Sequence, residues 1–295
     1  MDIVILTEGK YVSPKEINWY TEQVLQEDGL LMKALEKRGF SCTKLDWADP
    51  NMDWSQPKAC IFRSVWDYFH RFNEFERFLG KVDGLTHFIN PITQIKWNMD
   101  KHYLLDLEQK GIPIVESCFL EIGDARTLEQ IHKELGWQKT VLKPCVSGGG
   151  RHTYLLNSEN YADHEEVYAE LISKEAMILQ PFQEQIIDKG EVSHMVMGGK
   201  YTHSVLKKAK DGDYRVQDDF GGAVHDYQAS QEEIDFAEQV AKACDPLPAY
   251  ARIDVVWDNE DKLAISEVEL IEPELWFRKH PPAATLLADE IAKNL

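Results

Sequence analysis

In the stretch "AYARIDVVWDNEDKLAISEVELIEPEL", residues 249–275, Arg252 and Asp254 lie two apart, as do Glu267 and Glu269. Side chains alternate faces along a β-strand, so each pair shares one face of its strand. The turn falls in "DNEDK". A four-residue loop over Asn259–Lys262 pairs Asp258 with Leu263, and the same register sets Asp254 opposite Glu267 and Arg252 opposite Glu269. A two-residue turn at Glu260-Asp261 keeps that register. Ile253, Val255, Val268 and Leu270 then form an apolar opposite face. Like charges directly opposite each other destabilise a sheet. The cluster is therefore either the solvated outer face of an acidic protein or a divalent cation site. Carboxylate oxygens suit Mg2+, which bridges a few carboxylates to substrate phosphates. Three carboxylates suffice for two such ions, with Mn2+ as the alternative metal. An arginine beside them fits an oxyanion or a transferring phosphate.

A second stretch, "TVLKPCVSGGGRHTYLLN", ends a strand in Lys143-Pro144 and places Gly148, Gly149 and Gly150 before the next strand. Glycines there let backbone N–H groups approach phosphate oxygens. The Walker pattern is absent, because the lysine precedes the glycines. A flexible hairpin loop and a surface lysine are the plain alternatives. Lys101, in "KWNMDK", reads as an ordinary first-turn lysine on its own. Gln180, Pro181 and Phe182 end a strand at a change of lobe, a hinge whose backbone suits adenine or a mere connector. Glu191 starts the next strand, placed for ribose hydroxyls or simply solvated.

The elements that must position these groups are legible in outline. "DIVILT", "SCTKLDW", "ACIFRSVW" and "THFIN" are strands around helices at 18–38 and "EFERFLGKV". That alternation predicts a parallel α/β lobe over residues 1–95. A helix is expected from Asn98 to Gly111. "VESCFLEI", "TVLKPCV", "HTYLLN" and "AMILQPF" with helices at 127–135 and 162–174 form an α+β lobe, 96–183 with its linker helix. Residues 184–295 hold a hairpin turning at Gly198-Gly199, a helix at 230–243, the charged hairpin and a last helix from about 283.

Composition sets limits. The chain has 295 residues, 43% of them hydrophobic, enough for two or three lobes. A net charge of −19 argues against a general nucleic-acid or anionic-membrane binder, and any bound nucleotide needs local cations or a metal. The five cysteines, Cys42, Cys60, Cys118, Cys145 and Cys244, are scattered with no CxxC, as in a reduced cytoplasmic protein. The N-terminus does not read as a signal peptide, and no apolar run approaches the ~20 residues of a membrane span.

Taken in order, Lys101, Lys143 with its glycine loop, the 180–182 hinge, Glu191, Arg252-x-Asp254 and Glu267-x-Glu269 resemble the ATP-grasp superfamily. The end of the set is similar to the "RxD … ExN" of D-alanine–D-alanine ligases and prokaryotic glutathione synthetases. The resemblance implies a three-lobed fold of mixed α/β and α+β type: an N-terminal parallel lobe, a central lid and a C-terminal antiparallel-sheet lobe. It implies a carboxylate attacking the γ-phosphate of ATP, with the acyl phosphate captured by an amine. By position it gives Lys101, Lys143 and Lys207 (or Lys208) to ATP phosphates, and Gly148–Gly150 to a covering loop. Residues 180–182 then line adenine, and Glu191 holds ribose. Asp254, Glu267 and Glu269 hold magnesium, while Arg252 and, more loosely, Arg215 stabilise the reacting groups. Glu269 departs from the usual asparagine, and Gln180 from a frequent glutamate.

"IFRSVWDYFHRFNEFERFL" and "LLDLEQKGIPIVES" are similar to a bacterial glutathione synthetase-like subgroup that includes the cyclo-ligase closing O-ureidoserine into D-cycloserine. Arg63, Ser64, Trp66 and Asp67 end a predicted strand, where open α/β sheets present ligands. They are assigned to substrate, Arg63 to a carboxylate and Asp67 to an amine; a buried Arg–Asp pair beside a packing tryptophan is the alternative. The expected partners are a small-molecule carboxylate and amine, with a homodimer usual among relatives. An intermolecular ligase and a cyclo-ligase both remain open, as do a non-catalytic ATP-binding protein and a small-molecule kinase.

Overall fold

The computed structural model describes residues 1–210, 216 and 221–295. The N-terminal lobe runs β1 (Ile3–Thr7), α1 (Trp19–Glu36), β2 (Cys42–Asp46), β3 (Ala59–Phe62), α2 (Phe72–Val82) and β4 (His87–Ile89). Its four strands are parallel in the order β2-β1-β3-β4. β1 and β3 are buried along their whole length, as near-continuous apolar strands covered on both faces should be. On one face Trp47, Trp54, Phe62, Phe75 and Phe78 pack edge to ring. β3 ends at Phe62, so Arg63–Asp67 leave the sheet as a loop at its C-terminal edge.

The expected helix from Asn98 is corrected. α3 (Ile92–Asn98) starts behind Pro91 and ends at Asn98; a turn carries Asp100–His102, and α4 (Tyr103–Gln109) follows. Asn98 is not a helix start because its side chain is spent elsewhere. It donates to the Val268 carbonyl at 2.8 Å and accepts from Leu270 N at 2.8 Å.

The lid sheet is built from β5 (Cys118–Leu120), α5 (Leu128–Leu135), β6 (Lys139–Pro144), β7 (Tyr154–Asn157), α6 (Tyr161–Ile172) and β8 (Met177–Pro181), in the antiparallel order β5-β8-β6-β7. After the one-turn α7 (Gln185–Asp188) come β9 (Glu191–Met197), β10 (Lys200–Lys208), β11 (Ala223–Tyr227), α8 (Gln231–Ala243), β12 (Tyr250–Trp257), β13 (Leu263–Glu269) and α9 (Pro282–Lys293). They form the antiparallel sheet β11-β10-β9-β12-β13. β11 has no counterpart in the sequence reading: "AVHDY" is mostly exposed and lacks an apolar face. The apolar face of the charged hairpin, Ile253, Val255, Val268 and Leu270, is buried against α4 and α8. α9 closes against α1, and one core holds Ile3, Leu31, Met195, Tyr250 and Leu287 together, so the first and last lobes share an interior.

His203 on β10 sits in that shared region. It is 8% exposed, with Nε2 2.9 Å from the Leu275 carbonyl and its ring stacked on His280. Burial, aided by His280, pulls its pKa down to about 4. The unfolded chain therefore binds the extra proton first as pH falls from about 6.5 to about 4, and stability drops across that window by up to about 3 kcal/mol. His203→Gln should have a flatter melting temperature profile between pH 6.5 and 4 than the parent; parallel profiles would refute this origin.

Candidate active site

The hairpin reaches the expected central register by a different route. Trp257 pairs with Leu263 and Val255 with Ile265, one step off the expected Asp258–Leu263 pairing. A bulge at Ser266 then restores Asp254 opposite Glu267 and Arg252 opposite Glu269. The bulged Ser266 donates to the Asp254 carbonyl at 3.1 Å and to Glu191 at 2.8 Å, tying β13 to β12 and to the start of β9.

Opposite charges alternate across the resulting face. Asp254 is 2% exposed and accepts from Arg252 (3.0 and 2.8 Å), Lys207 (3.0 Å) and Ser193 (2.6 Å). Its burial is outweighed by Arg252 and Lys207, which hold the carboxyl well below the usual range. Arg252 also bridges to Glu269, and Lys207 to Glu191. Glu267 pairs with Lys101 at 2.9 Å, and Lys101 and Lys143 outweigh burial to keep it ionised. Glu269 differs: burial pushes it up to about 7, only partly opposed by Arg252 and reinforced by Glu267 and Asp254. Asp254, Glu267 and Glu269 each bring an oxygen within 4.8 Å of the others. That all-oxygen donor set fits a hard divalent cation such as magnesium.

Lys101, Lys143 and the glycine loop line the same cleft as this wall. Lys101 is held in its turn by an N–H bond to the Cys145 carbonyl at 3.0 Å, and its Nζ bonds the Ser147 carbonyl at 3.0 Å. Lys143, next to last in β6, lies on the same side as Val141, and both line the cleft. Burial lowers its pKa, and among the described residues it has no ion pair or hydrogen bond. Lys143 is half-buried, and a partly desolvated ammonium without a protein partner is a ready acceptor of an anion. Gly149 and Gly150 have φ of 56° and 70°, the left-handed region glycine enters freely. A Cβ on Gly148 would stand 2.7 Å from the Phe69 ring. Gln180 is turned to Ser117 at 2.9 Å; with Pro181 and Phe182 it lines the cleft at the end of β8. Of the lysine pair on β10, Lys207 lines the cleft, whereas Lys208 bonds the Asp188 carbonyl. The cleft has a volume of about 910 Å³, within the range of ligand sites.

The N-terminal residues divide. Trp66 lines the cleft, packs against Tyr11 and Tyr20, and donates from Nε1 to the Glu272 carbonyl at 3.0 Å. The other three are corrected. Arg63 is 3% exposed and paired with Glu27 at 2.9 Å, which also accepts from Leu275 N and Phe277 N. Arg63 and Ser64 do not line the cleft; they border an adjoining cavity of about 20 Å³ that shares Tyr20, Trp66 and Glu274 with it, room for a water rather than a substrate. Asp67 accepts from Trp47 Nε1 at 2.8 Å and pairs with Arg71 at 2.7 Å, so its carboxylate is not offered to an amine. The partner of the buried arginine is thus Glu27, 36 residues away, not Asp67. Arg215 lies outside the described residues.

Several cleft residues escaped the sequence reading. Glu272, Glu274 and Trp276 follow β13 and line the cleft, the Trp276 ring lying 5.4 Å from the Arg252 guanidinium. Burial and the negative Glu269 and Glu267 push Glu272 up to about 8. The signal was present: the acidic run continues beyond Glu269 as "LIEPELW".

Comparison with known proteins agrees with this geometry. Residues 101–274 match the RimK-like ATP-grasp domain, and residues 3–90 match the N-terminal domain family of D-cycloserine synthetase DcsG. The chain is 28% identical over 278 residues to the cycloserine biosynthesis protein DcsG of Streptomyces lavendulae, covering 90% of this chain and 92% of that one. It is similar to the crystal structure of D-cycloserine synthetase DcsG, with a TM-score of 0.86, 25% identity and 99% of both chains covered. It shares its fold with D-alanine–D-alanine ligase from Bacillus anthracis, with a TM-score of 0.70, 16% identity and coverage of 99% and 96%. With the site and the three sheets in place, the chain belongs to the RimK-like ATP-grasp family and is an ATP-dependent, ADP-forming ligase of carbon–nitrogen bonds.

Proposed function

We propose that this ligase activates the carboxylate of a small amino-acid-like substrate and closes it onto a nitrogen of the same molecule. The observation that carries this is the lining of the cleft: Lys101, Lys143, Lys207 and the hairpin carboxylates share one cavity with Tyr11, Tyr20 and Trp66 of the N-terminal lobe. That lobe is the part similar to the DcsG N-terminal domain family. The similarity to a cycloserine biosynthesis protein over nearly the whole chain supports the same reading.

In this reading Lys101, Lys143 and Lys207 bind ATP phosphates and the Gly148–Gly150 loop covers them. The backbone at Gln180–Phe182 holds adenine, and Glu191 contacts ribose. Arg215 is retained as a catalytic candidate beside Arg252. Asp254, Glu267 and Glu269 would hold magnesium, two ions or manganese in its stead, which neutralises charge on the phosphoryl oxygens. A substrate carboxylate oxygen bonds to the γ-phosphorus as the bond to ADP breaks. The nitrogen then attacks the acyl carbon, phosphate leaves, and the nitrogen's proton passes to solvent. Arg252, pinned by Asp254 and backed by Trp276, faces the acyl oxygen as its charge develops. The closed loop keeps water from the acyl phosphate. The lobe limits 1–95, 96–183 and 184–295, a homodimer and a cytoplasmic setting belong to the same proposal, the last in keeping with five free cysteines. Among the described residues no helix is long and apolar enough to cross a membrane.

The test is ADP release with ATP and magnesium against ureido, aminooxy and ordinary amino acids and dipeptides, singly and in pairs. Turnover with one compound, accompanied by its cyclic product, is expected. Turnover only with a pair means intermolecular ligation, and a stable phosphorylated product means a kinase. A thermal shift with ATP but no ADP from any substrate would support a binding protein.

Two variants check the assignments. Glu267→Gln should lower kcat at least about 100-fold with the melting temperature within a few degrees of the parent; near-normal ADP release would remove Glu267 from the metal set. Lys143→Met should weaken ATP binding by about 10- to 100-fold, the worth of a charge-assisted phosphate contact. Because Lys143 has no partner among the described residues, the variant should melt no lower than the parent. Isothermal titration calorimetry and a melting curve read the two effects separately.

A further inference from the structure

Outside the cleft wall, Asp100, His102 and Cys145 bring a carboxylate oxygen, an imidazole nitrogen and a thiol sulfur within 4.8 Å of one another. Asp100 and His102 lie on the turn between α3 and α4, and Cys145 directly follows β6. His102 Nδ1 is 2.6 Å from Asp100 Oδ1, and its Nε2 is 3.1 Å from Glu121 Oε1. The ring is stacked on Phe119 with centroids 4.3 Å apart, which fixes its plane. Cys145 is 1% exposed, and its thiol has no hydrogen-bond partner among the described residues. A structural cysteine ordinarily packs as a small hydrophobe. This one is directed at a carboxylate and an imidazole.

We propose that Asp100, His102 and Cys145 form a binding site for a divalent transition-metal ion of the zinc class, with Glu121 orienting the His102 ring. The mixed oxygen, nitrogen and sulfur donors separate it from the all-oxygen set at Asp254, Glu267 and Glu269. Tetrahedral zinc sets its ligand atoms about 3.5 Å apart, so Asp100 and His102, now hydrogen-bonded at 2.6 Å, exchange that bond for the metal and separate slightly, while the Cys145 sulfur lies within 4.8 Å of both. His102 binds through Nδ1, while Nε2–H donates to Glu121, the carboxylate support that metal-bound histidines usually have. On binding, His102 Nδ1 and the Cys145 thiol each release a proton to solvent, and the nitrogen and the sulfur bond the metal. Burial and the neighbouring Asp100 raise the thiol's pKa, so this deprotonation depends on the ion itself. Asp100 and His102 are partly exposed, leaving a fourth position open to water. The ion also tethers the Lys101 turn to β6, because Lys101 N already bonds the Cys145 carbonyl. Its occupancy would therefore be felt by Lys101 and Lys143 together.

Cobalt(II) is the probe, added to chelator-stripped full-length protein in excess magnesium without nucleotide. A thiolate-to-cobalt charge-transfer band should rise to one equivalent and be displaced by zinc. Cys145→Ser should abolish the band. His102→Gln, at a partly exposed position, should weaken cobalt binding at least about 10-fold with an unchanged melting temperature, and Glu121→Gln about 10-fold with the band retained. No band in the parent, or an equal band in Cys145→Ser or His102→Gln, overturns the site. None of these outcomes depends on turnover, so they leave the ligase reading to its own test.

Discussion

The constraint on which the rest depends is the neutralisation of the hairpin face. Asp254, Glu267 and Glu269 are carboxylates within 4.8 Å of one another. Left alone they would repel across β12 and β13 and destabilise the pairing that brings them together. Arg252 touches two of them, Lys207 one, and Lys101 the third. The cations come from three segments: β12, β10 and the turn after α3. The charge pattern therefore determines which elements must converge, and the apolar cores supply the energy that holds them there. A face balanced in this way is stable yet exchangeable, since phosphate oxygens and divalent ions can take over contacts the side chains now make with each other.

The hairpin has a second demand, at its edge. β13 ends the five-stranded sheet, so its outward backbone groups need partners. The linker supplies them: residues 113–115 pair with Ile265 through backbone bonds of 2.9 Å, Asn98 spans the Val268 carbonyl and the Leu270 amide, and the Tyr103 hydroxyl accepts from Val268 N at 2.8 Å. Asn90 adds bonds to the carbonyls of Tyr250 and Leu270, at 2.9 Å each. Glu27 from α1 caps the amides of Leu275 and Phe277 beyond β13. The edge is thus covered by the N-terminal lobe and its linker, and this same covering brings Lys101 and Trp66 to the cleft. Positioning of Lys101 and closure of the sheet edge are one structural act.

What the sequence made legible follows from range. Period-two alternation is a local property, so the shared face of Arg252, Asp254, Glu267 and Glu269 and its apolar reverse could be read directly. Strand and helix outlines followed for the same reason. Partners chosen across the fold could not. Arg63 and Asp67, four apart, looked like a pair, yet each found a different partner, Glu27 and Arg71. Asn98 resembled a helix start because asparagine caps helices, whereas its amide serves an edge strand 170 residues away. The Ser266 bulge was hidden because the central register it restores is also what an unbulged hairpin would have given.

Glu269 is where these arguments meet. In place of the asparagine usual in related ligases it adds a charge to a crowded set, and burial pushes its carboxyl up to about 7. An amide there would give a metal one oxygen without adding repulsion to Asp254 and Glu267. A carboxylate is tolerated because Arg252 lies between it and Asp254, and because Trp276 packs against the guanidinium and limits its movement. Arg252 therefore cannot be considered apart from Glu269. The guanidinium is oriented by the residue that departs from the pattern, and the Glu269 carboxylate helps hold the cation in place.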